Sequence, residues 1–140
     1  MVYLGLDLGS KTCGVSISDR TSTIASSVEV IRYKDYEDLL LNLDAIVYTR
    51  NVDSFVLGNP LNLDGSLSKR SELTLEFKKL LESRYPTKEV FMQDERLSTV
   101  EAERMLISNE TRRKNRKKVI DKIAATIILQ AFLDKRKNEK

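Results

Sequence analysis

The sequence predicts an α/β fold: a mixed five-stranded sheet with helices on both faces. Two observations carry this. Residues 2–32 hold an apolar run at 2–8, an alternating stretch at 12–18 and a third strand-like stretch at 23–32, broken only by short turns, which is the pattern of successive antiparallel strands. Beyond residue 35 the apolar period lengthens to that of helices, and short apolar runs punctuate the helical stretches.

The elements follow in order. Residues 2–8 form a first strand, ended by Gly9-Ser10. Residues 12–18 alternate as a second strand, and the short break makes a hairpin. Residues 23–32 give a third. Asp35 is placed to cap a helix in which Leu39, Leu43, Ile46 and Val47 recur at helical spacing. Ser54 to Gly58 is a short apolar run, read as a buried fourth strand. Leu73, Phe77, Leu80 and Leu81 define a second helix, with Ser66 or Ser68 near its start. Residues 89–93 make a fifth strand. Ser98 to Glu101 fits the S-x-x-E capping box of a further helix. Residues 108–118 are polar and basic and predict a loop; a last helix runs from about Val119 to Lys135.

Strands separated by helices must be joined by crossovers, so the first, fourth and fifth strands are expected to run parallel. The hairpin adds antiparallel strands to the same sheet, in the order 3-2-1-4-5. This is the layout of the ribonuclease H-like fold. The 140 residues are enough for one domain with a real core, 1–140. With 41% hydrophobic and 32% charged residues, no apolar run near the ~20 residues of a membrane span and no signal-peptide pattern, the expectation is a cytoplasmic protein without membrane contact.

Histidine is absent and Cys13 is the only cysteine, which excludes His-activated nucleophiles, His-metal sites, zinc clusters and internal disulfides. Cys13 reads as a small apolar filler. Catalysis is left to carboxylates, Lys, Ser/Thr or Tyr, and a metal would be a hard cation such as Mg²⁺ or Mn²⁺.

In an open parallel sheet, ligands bind outside the carboxyl ends of the strands. Asp7 ends strand one, Asp94-Glu95 follow strand five, and Gly58-Asn59-Pro60 ends strand four with Asp64-Gly65 beyond it. Asp121 lies on the otherwise apolar last helix beside Ala124 and Ala125, small residues that permit close packing. Converging carboxylates repel unless divalent cations neutralise them, and a two-metal phosphodiesterase site needs such a cluster. Singly, each acid has a plainer use as a cap, turn or ion-pair partner. Spacing does not separate Asp94 from Glu95. Asp19, Asp44, Asp53 and Asp64 read as turn or surface acids. Lys11 and Arg96 are candidate phosphate contacts.

Charge is unevenly spread. Residues 1–110 hold 13 basic and 18 acidic residues, whereas residues 111–140 hold 11 and 3. The excess peaks at Arg112, Arg113, Lys114, Arg116, Lys117 and Lys118, a cluster suited to a phosphate backbone.

Four segments, GLDLGSKTCGVSISD (5–19), LGNPLNLDGS (57–66), DERLSTVEAE (94–103) and DKIAATIILQAFL (121–133), resemble the YqgF family. That family is named for Holliday junction resolution and for nucleases that mature the 5′ end of pre-16S rRNA. The resemblance implies that Asp7, Glu95 and Asp121 bind the metal of a ribonuclease H-like nuclease. It also implies that Gly58, Pro60, Asp64 and Gly65 form the loop after strand four. One departure is Gly58-Asn59-Pro60, where the family pattern is Gly-Leu-Pro. The expected partner is structured RNA, pre-ribosomal for preference, with branched DNA as the alternative; the expected state is a monomer or weak homodimer. Two readings from other classes are a non-catalytic nucleic-acid-binding module and an ATPase of the sugar-kinase and actin type. The latter also opens with Gly-x-Asp-x-Gly but needs two such domains.

Overall fold

A computed structural model describes residues 1–62, 64–94 and 113–138, with the backbone alone for residues 113–122 and 138. Five strands, β1 (Tyr3–Leu8), β2 (Thr12–Ser18), β3 (Ala25–Arg32), β4 (Ser54–Asn59) and β5 (Val90–Asp94), form one sheet in the order β3-β2-β1-β4-β5. β1 pairs antiparallel with β2 and parallel with β4, β2 pairs antiparallel with β3, and β4 pairs parallel with β5. The predicted sheet and strand order are therefore present.

Three helices are described: α1 (Tyr36–Thr49), α2 (Lys69–Arg84) and α3 (Arg113–Asn138). α1 begins where expected, because the Asp35 carboxylate accepts the Asp38 N–H at 2.8 Å. α2 is capped by Ser68, whose hydroxyl accepts the Ser71 N–H while the Ser71 hydroxyl accepts the Ser68 N–H.

Pleating sends alternate residues to opposite faces. Leu4, Leu6 and Leu8, with Cys13, Val15, Phe55 and Leu57, meet Leu39, Leu43, Val47, Phe77 and Leu81 of α1 and α2. Tyr3 and Val56 meet Ile128, Leu129, Phe132 and Leu133 of α3 on the other face.

One sequence expectation needs correction. The stretch 108–118 was expected to be a loop, yet residues 113–118 form the first turns of α3; residues 108–112, like the helix expected from Ser98, lie outside the described residues. Arg and Lys are good helix formers and need no apolar stripe when a buried segment further along holds the helix in place. In α2, Leu73 and Leu80 are exposed; the buried stripe is Ser71, Thr74, Phe77 and Leu81. The small residues 71 and 74 let the start of α2 approach the sheet, which turns the two leucines outward.

Candidate functional site

β1 is the central strand, and Asp7 stands one residue before its end, half-buried. Its parity is that of Tyr3 and Gly5, so it belongs to the α3 face. α3 crosses that face against the direction of β1: Phe132 packs on Tyr3 with ring centroids 5.3 Å apart, while Leu129 and Ala125 lie over Gly5. Moving along β1 from Tyr3 to Asp7 thus means moving back along α3 from Phe132, and Asp121 is one helical turn before Ala125.

The seat for α3 is close. A Cβ at Gly5 would strike Ser16 Oγ, and would stand 2.8 Å from Leu129 Cβ and 3.2 Å from the Ala125 carbonyl oxygen. The Ser16 hydroxyl, fully buried, donates to that same carbonyl at 2.7 Å. Glycine at 5 and serine at 16 therefore set the height of the helix carrying Asp121 above the strand carrying Asp7. Neither was singled out from sequence. The available signals were a glycine in mid-strand and a serine at an inward-facing position.

The pairing of β5 separates its terminal acid from Asp7. Val56 pairs with Phe91 and both lie on the α3 side; Asn59 pairs with Asp94, which shares the parity of Leu57 and Met92 on the α1/α2 side. Asp94 is thus on the face opposite Asp7. Glu95 and Arg96 lie outside the described residues, as does Arg112. Arg113, Lys114, Arg116, Lys117, Lys118 and Asp121 are placed as positions on the α3 backbone. Among the described residues no three acidic or thiol side chains converge as a metal site, so the predicted triad is placed only through Asp7 and the helix position of Asp121.

The turn after Asp7 is held from two sides. Gly9 N–H donates to the Thr12 carbonyl at 2.7 Å, and a Cβ at Gly9 would lie 2.9 Å from that oxygen. The Tyr33 phenol donates to the Gly9 carbonyl, and burial pushes that phenol up to about 12. From α2, Arg70 Nη2 donates to the Leu8 carbonyl at 3.1 Å. Lys11 is exposed in this turn. Arg70 was not singled out from sequence, because one more cation on a polar helix carries no signal of its own.

The loop after β4 brings α2 to this edge. Gly58 is buried, Pro60 accepts the Ser68 hydroxyl through its carbonyl, and Asp64 accepts the Ser66 N–H at 2.9 Å. Gly65 has φ 89°, which favours glycine. These residues shape the loop.

The acids read as structural are so used. Asp19 accepts from the Thr21 hydroxyl and from the Ile24 and Thr23 N–H groups, which hold its carboxyl down to about 2. Asp53 accepts the Val2 N–H at 2.7 Å. Asp44 joins α1 to Arg84 and Tyr85. Cys13 is fully buried on the α1/α2 side; burial first, and the Asp7 charge second, push its thiol far above the usual range. It fills the core and is no nucleophile.

A sheet of this order, with helices packed on both faces, defines the ribonuclease H-like fold class. Two solved structures share the fold. One is Thermus thermophilus RuvC in complex with a Holliday junction substrate, with a TM-score of 0.58 and 12% identity over 99% of this chain and 96% of that one. The other is the fowlpox virus Holliday junction resolvase, with a TM-score of 0.57 and 15% identity over 96% and 99%. The chain belongs to the RuvX family, described as Holliday junction resolvase, whose model matches residues 1–135. This agrees with the YqgF resemblance. Relatives from Geobacillus sp. (strain WCH70), 46% identical over 96% of this chain and 98% of their own, and from Bacillus subtilis, 43% identical over 96% and 98%, bear the name "Putative pre-16S rRNA nuclease". Among the described residues no helix is long and apolar enough to cross a membrane.

Proposed function

We propose that this protein is a metal-dependent nuclease that hydrolyses phosphodiester bonds in structured RNA, with the 5′ end of pre-16S rRNA as its substrate. The observation that carries the reading is the opposition of Asp7 at the end of β1 to the helix turn that begins at Asp121. Asp94 shares the parity of Met92 on the face opposite Asp7, which disfavours it as the third acid, and the family resemblance assigns that place to Glu95.

The donor chemistry fits a hard cation. Asp7 is a half-buried carboxylate near the carboxyl end of the central strand, while the thiol of Cys13 lies on the other face and histidine is absent. Asp7, Glu95 and Asp121 would hold Mg²⁺ or Mn²⁺. Such cations, when bound, supply polarisation of the phosphate and activation of water. The protein's own part is placement: Gly5 and Ser16 fix α3 over β1, and the clamped turn 8–12 fixes Asp7. The cations of α3 from Arg113 to Lys118, with Arg112 and Lys11, supply attraction for the phosphate backbone. Arg96 adds to this group by the same logic.

A second reading keeps the chemistry and makes four-way DNA junctions the substrate; the family description and the junction-bound RuvC favour it. It requires a symmetric dimer so that two strands are cut together. Purified protein that stays monomeric with junction DNA present would count against it.

The deciding experiment incubates the protein with Mg²⁺ and either an RNA duplex carrying a 5′ extension or a four-way DNA junction, beside Asp7→Asn. The expected result is RNA cleavage that Asp7→Asn abolishes, by at least ~100-fold given its place among the reacting groups, with binding retained. Cleavage of the junction alone would move the substrate to DNA. Binding without cleavage of either would leave a non-catalytic binding module.

A further inference from the structure

We infer that Arg70 is a phosphate-binding residue of the nucleic-acid track, working from the α2 side of the candidate site; this rests on the proposed nuclease reading. The guanidinium reaches from the first turn of α2 to the carbonyl of Leu8, the residue directly after Asp7, at 3.1 Å. That contact uses one of its five N–H donors. The side chain is otherwise exposed, and among the described residues it makes no ion pair with Asp or Glu.

Folding alone does not account for this arrangement. Lys69 and Arg70 put two cations in the first turn of a helix, where the macrodipole disfavours positive charge. The helix is already capped by Ser68 and Ser71, so it needs no help from Arg70. A carbonyl partner neutralises no charge. What the contact does achieve is orientation: it holds a planar fork of donors beside the carboxyl end of β1, where a phosphodiester approaching Asp7 would pass. A guanidinium so held loses little freedom on meeting a phosphate and can offer it two parallel N–H groups. Lys11, in the turn on the β2 side, faces the same edge with a compact charge.

The rival explanation is that Arg70 merely pins α2 to the β1–β2 turn. Two variants separate the roles. Arg70→Gln keeps an N–H donor for the Leu8 carbonyl and removes the charge; Arg70→Lys keeps the charge and removes the fork. Binding is measured without divalent cations, against the same RNA duplex with a 5′ extension and the same four-way junction, from 50 to 300 mM KCl, with thermal melting beside it. One phosphate contact is worth about one unit in the slope of log affinity against log salt, or roughly sixfold in affinity near 0.1 M salt. The expected result is that Gln lowers the slope by about one unit and Lys keeps it, on the RNA, with melting unchanged for both. A loss on the junction alone also supports a phosphate contact and assigns it to DNA. A slope that Gln leaves at the wild-type value, or that Gln and Lys lower alike, overturns the inference. Because no metal is present, the result does not depend on cleavage. A protein that fails to cut either substrate yet loses the slope with Gln would overturn the nuclease reading and keep Arg70 as a phosphate contact.

Discussion

Against α1 and α2 the sheet presents Leu4, Leu6, Leu8, Val15, Phe55 and Leu57, all buried. Against α3 it presents Tyr3, Gly5, Asp7, Ser16 and Val56, a mixture of one aromatic, one aliphatic, one acid and two residues small enough to let a helix come near. The first face gives up apolar area to water exclusion in the ordinary way of a core. The second loses some of that area around Gly5 and gains a fixed helix height in exchange. Substitutions on the two faces should therefore separate stability from activity.

The largest effect is expected where the aliphatic face is cut. Phe55 is fully buried between the sheet and Tyr85, with ring centroids 5.1 Å apart. Phe55→Ala should lose about 3–5 kcal/mol in denaturant unfolding. Whatever fraction remains folded should cleave at the wild-type rate per folded molecule. A specific-activity loss beyond the unfolded fraction would show that this face also shapes the site.

Gly5→Ala should give the reverse balance. Its methyl group meets Ser16 Oγ and stands 2.8 Å from Leu129 Cβ, so α3 must rise or tilt. Overpacking of this kind costs about 1–3 kcal/mol. A misplacement near 1 Å between Asp7 and the helix of Asp121 is worth about 100-fold in rate, so nuclease activity should fall much further than stability. Ser16→Ala alone loses one buried hydrogen bond, about 1 kcal/mol. In the Gly5→Ala background it should cost less, because it also removes one of the clashing atoms. A double-mutant cycle on unfolding reads this coupling; strict additivity would mean that the two residues do not share one seat.

The same contrast explains what could be read in advance. The strands, the helices and the cap at Asp35 follow from local alternation, period and turn chemistry, all of which act over a few residues, whereas Ser68 was one of two candidate caps until its hydrogen bond to Ser71 selected it. The seat of α3 joins Gly5, Ser16 and Ala125, and Ser16 meets Ala125 across 109 positions of sequence. No local pattern reports such a contact. The face of Asp94 likewise became plain only through its pairing with Asn59, since alternation says that neighbours differ but not which one faces α3. Leu73, Phe77, Leu80 and Leu81 marked the helix but not its buried face, because helical periodicity alone allows two adjacent stripes, and the packing of Ser71 and Thr74 selects one. Arg70 was illegible for a related reason: its meaning lies in the Leu8 carbonyl, 62 residues away. The place of Asp7 near the end of β1 was legible because an acid at the end of an apolar strand is odd on local grounds.

The smallest expected effect tests whether the α1/α2 layer depends on anything beyond its apolar core. Asp44 on α1 accepts two N–H groups from Arg84 and the phenol of Tyr85, both at the end of α2. Hydrogen bonding by Arg84 is the main cause that holds the Asp44 carboxyl below its usual range. Burial, aided by the Asp44 carboxylate, drives the Tyr85 phenol far above its own. The pair is about one-third exposed, so solvent screening limits its worth to about 1 kcal/mol or less. A carboxyl whose folded value is depressed adds stability that is fully present above its unfolded value, near pH 4, and is lost as pH falls through the folded value. Asp44→Asn should therefore lower stability slightly at pH 7, and the wild type should converge on it as pH drops below about 4. Denaturant titrations of the two proteins at pH 7, 5 and 3 would show the gap closing from above. A gap of equal size at pH 3 would assign the effect to packing and not to charge. The α1/α2 layer would then be held by apolar contact alone, and its difference from the α3 face would be sharper still.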